Sequence, residues 1–342
     1  MIPSTAPTDD RSVLRLTVLT PVFNDWDCAR HLLDNLVQLA GGMHPTRRTH
    51  LSLILVDDGS PLPCPEDLAR GIDGQVHQVT LIRLARNLGH QRAISIGLAY
   101  AAEHVPCDLL VVMDCDGEDR PGDIAHLIRT CEQHDCSRIV FAARTRRSEG
   151  PVFRLGYLGY RILHRWLTGV PVRYGNFSVV PADLLQSLPL VSETWNHYAA
   201  AVLKSRLPFV GEPLSRGTRF AGHSTMNLVS LTMHGVSAMS VFAEVISVRL
   251  MVAAISGVLF SLLAIGLAAC LYSPTVVGVR MMLAAGIFIA TSLLACLVLS
   301  VFMLGIHAVR SAASFLPKRD YGYFIASTRI LGSGSVVGSY SG

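Results

Sequence analysis

Charge is scarce in this chain and missing from two long stretches. Only 16% of the 342 residues are Asp, Glu, Lys or Arg and 7% are aromatic, whereas half are apolar and the mean hydropathy is +0.41. Leu250 to Tyr272 and Met281 to Ile306 hold no charged residue. As helices they would extend about 35 and about 39 Å, enough to cross a ~30 Å hydrocarbon core with some tilt. Uncharged runs above ~18 residues are rare in soluble folds, which argues against two buried core helices. The expectation is a transmembrane hairpin over 249–306, turned by Ser273 to Val279. Arg249 precedes it and Arg310, Lys318 and Arg319 follow, while Arg280 alone lies in the turn. The positive-inside rule then puts both termini in the cytoplasm, as in a multi-pass protein of the inner (cytoplasmic) membrane.

Other absences narrow the chemistry. The eight cysteines form no CxxC pair and no His flanks them at zinc spacing, which fits a reduced compartment. No GxSxG, HExxH or Walker-A pattern occurs, so acyl-transfer, zinc-protease and P-loop readings fall away. Met1 to Arg15 has no apolar run of the signal-peptide kind. There is no internal repeat. A formal charge of +4 is modest and points to no nucleic-acid partner. Thirteen histidines are dispersed and read as surface or packing residues, with His90 the mild exception.

What is present is an alternation of strands and helices over the first ~145 residues. Strands are expected at Leu14–Thr20, Leu51–Val56, Val79–Leu84, Leu109–Met113 and Arg138–Ala142. Helices are expected at Asp25–Leu39, Ala93–Glu103 and Asp123–Cys131. That order argues for an α/β fold with a doubly wound, mostly parallel sheet, whose ligands bind beyond the carboxyl ends of the strands. After Gly150 the alternation stops: Phe153–Thr168 reads as an amphipathic helix and Glu193–Ser205 as another. Residues 226–248 read as an amphipathic juxtamembrane segment, 307–342 as a cytoplasmic tail, and Gly332–Gly342 as Gly/Ser-rich and unstructured.

The acidic residues cluster where such a sheet binds ligands. In Asp114-Cys115-Asp116 two carboxylates one residue apart on a strand point the same way and attract a hard divalent cation, with Glu118 continuing the alternation. The other reading is a solvated acidic turn. Asp57 and Asp58 follow a buried strand and suit a base N–H or ribose hydroxyls, or equally an Asx-type turn closed by Gly59 and Ser60. Arg86-Asn87-Leu88-Gly89-His90-Gln91 offers charge and close backbone approach to a phosphate, or caps a helix, the natural role of Gln91 and Arg92. The basic loop Arg216 to Ser224 folds over a diphosphate or rests on anionic lipid.

Taken in order, these segments resemble a family-two inverting glycosyltransferase of GT-A fold, most like the polyprenyl-phosphate branch of dolichol-phosphate mannosyltransferases and bacterial undecaprenyl-phosphate glycosyltransferases. The resemblance rests on Thr20-Pro21-Val22-Phe23-Asn24-Asp25, Val56-Asp57-Asp58-Gly59-Ser60, Arg86-Asn87-Leu88-Gly89-His90, Met113 to Pro121, and Arg216-x-x-Arg219-x-x-Gly222-x-Ser224. It covers Leu14 to Ser224, within a catalytic domain at 1–225. It implies that Pro21, Asp25 and Asp57 line the nucleoside pocket, joined by Asp58, Arg86, Gly89, Asp114, Arg216, Arg219 and Ser224 in holding the nucleotide sugar. It implies that Asp114, Asp116 and Glu118 face Mg²⁺ or Mn²⁺, and that Arg144 and Arg154 hold an acceptor phosphate. Four departures stand out: Asp25 replaces a Glu, Glu118 a Gln, Thr225 a Lys, and Leu158 stands where a serine is expected.

The implied reaction moves a sugar, UDP-linked rather than GDP-linked, to a polyprenyl phosphate with inversion. A phosphate monoester has a second pKa near ~6 and is already ionised at neutral pH, so it needs no dedicated base. The alternative acceptor is a glycan or lipid hydroxyl, which does need one, with Glu193 and Glu118 as candidates. A third class is a membrane scaffold with a degenerate nucleotide fold, against which both Asp114 and Asp116 speak. QxxRW is absent, with Ile162 in place of Gln, which argues against a processive synthase. Small residues Ala264, Ala268, Gly286 and Ala290 suit close helix packing and a homo-oligomer.

Overall fold

A computed structural model describes residues 12–72, 76–144, 151–170, 174–220, 235–271, 276–312 and 315–333. The chain divides into two units: residues 1–149, 173–228 and 315–342 form the first, and 150–172 with 229–314 the second.

The first unit is built on one eight-stranded sheet. Its strands are β1 (Val13–Val22), β2 (Arg48–Asp57), β3 (Val76–Leu84), β4 (Leu109–Val112), β5 (Ile139–Arg144), β6 (Tyr174–Pro181), β7 (Phe209–Leu214) and β8 (Ile325–Ser333). Their spatial order is β7-β5-β6-β4-β1-β2-β3-β8. Six strands run one way, while β6 and β8 run against them. Strands buried on both faces need apolar residues at every position, which is why Leu53 to Val56 and Leu109 to Val112 read as unbroken runs.

Helices α1 (Trp26–Leu39) and α3 (Ile124–Gln133) cover one face. They bury Leu32, Leu33, Leu36, Leu127 and Ile128 against Leu16, Val18, Leu53, Leu55 and Val111. Helices α2 (His90–His104) and α5 (Tyr198–Ser205) cover the other, with Ile94, Leu98 and Tyr198 against Leu19, Ile54, Val56 and Phe141. Gly97 lets α2 lie close to the sheet, since a Cβ there would run into the Leu19 and Val56 side chains.

Arg15 holds the amino ends of β1 and β4 together. Its backbone N–H donates to Asp108 Oδ2 (2.8 Å), and its guanidinium donates to Oδ1 from Nη2 (2.6 Å) and Nε (3.2 Å). Desolvation is the largest single influence on the Asp108 carboxyl and pushes its pKa up, but the Arg15 bonds together outweigh it and leave the pKa below its ordinary 3.8. A depressed carboxylate stabilises the fold above its unfolded pKa and loses that contribution as pH falls through the folded value. Asp108→Asn is therefore expected to lower the thermal midpoint by a constant amount above about pH 5, with the gap to wild type closing below the ordinary carboxylate range.

Three expectations need correcting. The alternation does not stop at Gly150: β6 inserts between β4 and β5, antiparallel to both. Its sequence, Tyr-Gly-Asn-Phe-Ser-Val-Val-Pro, opens with small and polar residues that gave no strand signal. Gly332 and Ser333, expected to be unstructured, instead end β8, which pairs antiparallel with β3, and upstream Tyr321 OH donates to Glu103 (2.9 Å) and lies 2.8 Å from His104 Nε2. The domain expected at 1–225 thus takes in a strand from beyond the hairpin. The helix expected over Glu193–Ser205 is split into a 3-10 turn, Ser192–Trp195, and α5, whose amino end is capped by His197.

The second unit contains α4 (Pro151–Thr168), α6 (Ala243–Leu271) and α7 (Val276–Ala312). Ala243–Leu267 and Gly278–Phe302 are long and apolar enough to cross a membrane, each with mean hydropathy 2.5. The first begins inside the segment read as juxtamembrane, 226–248, of which 226–234 lie outside the described residues. Arg249 Nη1 donates to Trp166 O (2.8 Å), and His164 meets Phe242 edge-on at 6.4 Å, which fixes α4 against α6. Ile162, Leu163 and Trp166 on α4 face outward.

Candidate active site

The strand order reverses at β1, with β2 on one side and β4 on the other, and the loops leaving the carboxyl ends of β1 and β4 flank the crevice this opens. Pro21 is buried in β1, and the chain then turns at Asn24, whose φ is +59°. The Asn24 N–H donates to Ser60 Oγ (2.9 Å) and its Oδ1 accepts from the Leu62 N–H (3.2 Å), tying the loop after β1 to the loop after β2. Asp25 follows at the head of α1 with its carboxylate half-exposed.

Asp57 and Asp58 are both buried and have different partners. Asp57 Oδ1 accepts from the Ser60 N–H (2.8 Å), closing the Asx-type turn, and its Oδ2 lies 3.8 Å from Arg83 Nε. Asp58 reaches across to the next loop: Oδ1 accepts from the Leu88 N–H (2.7 Å) and Oδ2 from the Gly89 N–H (2.9 Å). Desolvation raises the Asp58 pKa above its ordinary value against the opposing pull of those two N–H groups. Gly59 (φ +71°) makes the crossing possible, since a Cβ there would sit 2.5 Å from the Arg86 and Asn87 backbone. Arg86 is exposed, and Gly89 opens α2 at φ +98°.

The acidic loop after β4 departs from its expected geometry. β4 ends at Val112, two residues before Asp114, and the backbone turns at Gly117 (φ +91°), so strand alternation does not align the three carboxylates. Each meets a different basic side chain. Asp114 Oδ1 lies 3.1 Å from His90 Nε2, Asp116 Oδ2 lies 3.3 Å from Arg219 Nη1, and Glu118 pairs with Arg216. The buried Asp119, which sequence reasoning passed over, holds the loop by accepting from the Asp114 N–H (3.0 Å). Asp116 Oδ1 accepts from the Glu118 N–H (3.0 Å).

The basic loop lies directly on this turn. The Phe220 N–H donates to Asp116 O (2.7 Å) and the Gly217 N–H to Glu118 O (2.9 Å). A Cβ on Gly117 would meet the Phe220 ring at 2.8 Å, and one on Gly217 would strike the Gly117 carbonyl. Arg219 completes the arrangement by bridging Asp116 and Asp25, with Nη2 3.1 Å from Asp25 Oδ2. Asp25, Asp116, Arg216 and Arg219 are thereby brought together. Ser224 lies outside the described residues. Arg144 is the last residue of β5 and Arg154 lies in the first turn of α4, in the second unit.

Sequence reading also missed the support beneath His90. Asn176 opens β6 at the site end of the sheet because that strand is antiparallel, and its Nδ2 lies 2.9 Å from His90 Nε2. Gln91, read as a helix cap, is buried: its Nε2 donates to Asn176 Oδ1 (3.1 Å) and its Oε1 accepts from the Tyr198 N–H (2.7 Å). Desolvation is the strongest single effect on His90 and pulls its pKa down, but Asp114, Asp119 and Asp58 together outweigh it and hold the imidazole above its ordinary value. No signal short of recognising β6 could have found Asn176.

Among the described residues no three His, Cys, Asp or Glu side chains converge as a metal cage. Asp114, Asp116 and Glu118 therefore do not form the three-carboxylate set expected of them. The donor chemistry still suits a hard cation, because Asp25 and Asp116 already draw a guanidinium between them. Mg²⁺ is commonly bound through one or two carboxylates with substrate phosphates supplying further ligands.

Residues 17–188, half of the chain, match the family Glycosyl transferase family 2. The chain belongs to that family. Among curated relatives, the undecaprenyl-phosphate 4-deoxy-4-formamido-L-arabinose transferase of Edwardsiella ictaluri is 27% identical over 125 residues, 36% of each chain. Its counterpart in Photorhabdus laumondii is 31% identical over 121 residues, 35% of each chain. An uncharacterised glycosyltransferase of Bacillus subtilis is 26% identical over 185 residues, 53% of each. The chain thus spans about a third of the length of the first two relatives. Among solved structures, glucosyl-3-phosphoglycerate synthase from Mycobacterium tuberculosis, with Mn²⁺, UDP-glucose and phosphoglyceric acid, has 16% identity and a TM-score of 0.48, over 68% of this chain and 80% of that one. The family-2 match covers β1 to β6, the part of the sheet that carries the acidic loop.

Proposed function

We propose that this family-2 member transfers a sugar, with inversion, from a nucleoside-diphosphate donor to a membrane polyprenyl phosphate. The observation that carries the reading is the Asp25–Arg219–Asp116 cluster at the carboxyl ends of β1 and β4, in a chain that also holds two long apolar helices. Two curated relatives named for undecaprenyl phosphate support the acceptor class.

In this reading Asp57 and Arg83 meet the nucleoside, and the loop held by Asp58 carries Arg86 to the phosphates. Asp116 and Asp114 would hold Mg²⁺ or Mn²⁺ where the donor's diphosphate oxygens would bind. The cation would neutralise charge on the departing nucleoside diphosphate. Arg216 and Arg219 exchange their carboxylate partners for those same oxygens, so positive charge gathers where negative charge develops. Arg144 and Arg154 hold the acceptor phosphate, and Ser224 joins the donor loop. The acceptor attacks as an anion, so no side chain need remove its proton.

The hydroxyl-acceptor alternative is weakened at Glu193. Glu193 Oε1 lies 2.8 Å from Lys204 Nζ, and although desolvation pulls the other way, Lys204 and neighbouring donors keep its pKa low. Glu118 pairs with Arg216 until the donor's oxygens take that guanidinium, so it stays the base to test for that alternative. UDP is the proposed nucleotide, and the inner membrane, with the sheet unit in the cytoplasm, the proposed location.

Membranes carrying the protein, given a panel of radiolabelled UDP- and GDP-sugars with polyprenyl phosphate, are expected to yield an organic-phase product from one UDP-sugar. EDTA should abolish it and Mg²⁺ or Mn²⁺ restore it. Label appearing only in glycan, or no product with any donor, would overturn the acceptor assignment.

A further inference from the structure

Helix α3 ends in a turn that brings two cysteines together. The Cys136 N–H donates to Cys131 O (2.9 Å) and the Asp135 N–H to Glu132 O (2.9 Å), and Asp135 is left-handed at φ +53°. Those paired bonds define a Schellman cap with Cys131 three residues inside the helix end and Cys136 two residues beyond it. The cap normally places an apolar side chain at each of these positions in mutual contact. Here both positions are thiols, so the cap sets the two side chains on the same side of the helix end. Cys131 is fully buried in the core, while Cys136 is partly exposed.

We propose that Cys131 and Cys136 form a peroxide-sensitive dithiol, with Cys136 the attacking thiol and Cys131 the resolving one. The Cys136 thiolate attacks one peroxide oxygen, the O–O bond breaks and hydroxide leaves, giving a sulfenic acid. The Cys131 sulfur then displaces the sulfenic hydroxyl. Its own proton leaves with that oxygen as water, and an S–S bond remains. Two electrons pass from the two thiols to the peroxide.

The surroundings divide the roles in this way. A hydrogen bond from Cys131 is the main influence lowering the Cys136 pKa to about 7, against desolvation, and Arg47 nearby adds to it while Glu132 and Asp135 oppose it. The Cys131 pKa is raised, first by that same bond and then by burial. Its thiol also lies 3.9 Å from Arg138 O as a competing acceptor. Cys64, the other partly exposed thiol of this unit, is pushed up to about 11 by burial, and Cys28, Cys107 and Cys115 are buried. Thiolate character and access therefore single out Cys136. The pair sits at the far end of α3 from the acidic loop, so its oxidation consumes no residue of the transferase site.

The test uses the full-length protein in detergent and needs no sugar donor. Arg129 and Arg138 bracket both cysteines and no other, so trypsin releases Thr130–Arg138 as a single reporter peptide. After limiting hydrogen peroxide and alkylation, that peptide is expected to be lighter by two hydrogen atoms and unlabelled, before any other cysteine is oxidised. Without peroxide, Cys136 should alkylate at neutral pH about tenfold or more faster than Cys64. In Cys131→Ala the sulfenic acid on Cys136 should persist long enough to be trapped by dimedone. A wild-type peptide that stays fully alkylatable, or that gains oxygen on Cys136 without losing the two hydrogens, overturns the proposal, whatever the variant does.

Discussion

Replacing Asp116 by asparagine is expected to lower kcat about 10²- to 10³-fold while leaving the thermal midpoint nearly unchanged. Asparagine keeps the shape and the Oδ1 that accepts from the Glu118 N–H, so the turn survives. What it removes is one negative charge, facing Arg219, at the point where a cation and a diphosphate would meet. Charge stabilisation of a leaving group belongs to the transition state, so the loss should fall on kcat with a smaller change in KM. Glu118→Gln is the internal control. In the proposed reaction its carboxylate holds neither the cation nor the donor and pairs with Arg216 only before the donor binds, so it should cost no more than about tenfold. Wild-type turnover in Asp116→Asn, or a larger loss in Glu118→Gln, would put the cation elsewhere.

Asp58→Ala should be the most destabilising single change in the donor loops. It leaves the Leu88 and Gly89 N–H groups without their acceptor in a buried place. At about 1–3 kcal/mol for each orphaned donor, the cost should approach the stability of a marginal variant. A drop in thermal midpoint of about 5–20 °C is expected for a unit of this size. Asp58→Asn should recover only part of it, because a carboxamide offers one acceptor oxygen and turns an N–H₂ toward the second donor. Donor affinity should fall in step with stability, since the same loop carries Arg86. A variant as stable as wild type would mean that Gly59 and its backbone contact hold the loop unaided.

The two predictions mark where sequence was informative. Asp57, Asp58, Asp114 and Asp116 could be singled out because each follows a continuous apolar run, and such a run ending in acids signals a parallel strand meeting a binding crevice. Which oxygen does what could not be read. Asp57 and Asp58 are adjacent, yet one closes its own turn and the other anchors a loop some 30 residues away. Asp114, Asp116 and Glu118 look like one aligned set under strand periodicity, but the strand stops at Val112 and a glycine turn sends each to its own basic partner. β6 and β8 escaped notice for a shared reason. Both run antiparallel to the body of the sheet and enter after long excursions in sequence, so no βα alternation announces them.

Local pattern by itself determined the parts that depend on near neighbours: the two long apolar helices, from length and lack of charge, and the strand–helix order to residue 145, from periodicity. Tertiary structure alone decided what depends on distant partners. It put Asn176 under His90, Arg219 between Asp25 and Asp116, and Cys136 against Cys131 at the end of α3. The physical reason is range: hydropathy acts over one or two turns of chain, whereas hydrogen bonds and ion pairs are indifferent to sequence separation once the sheet has closed.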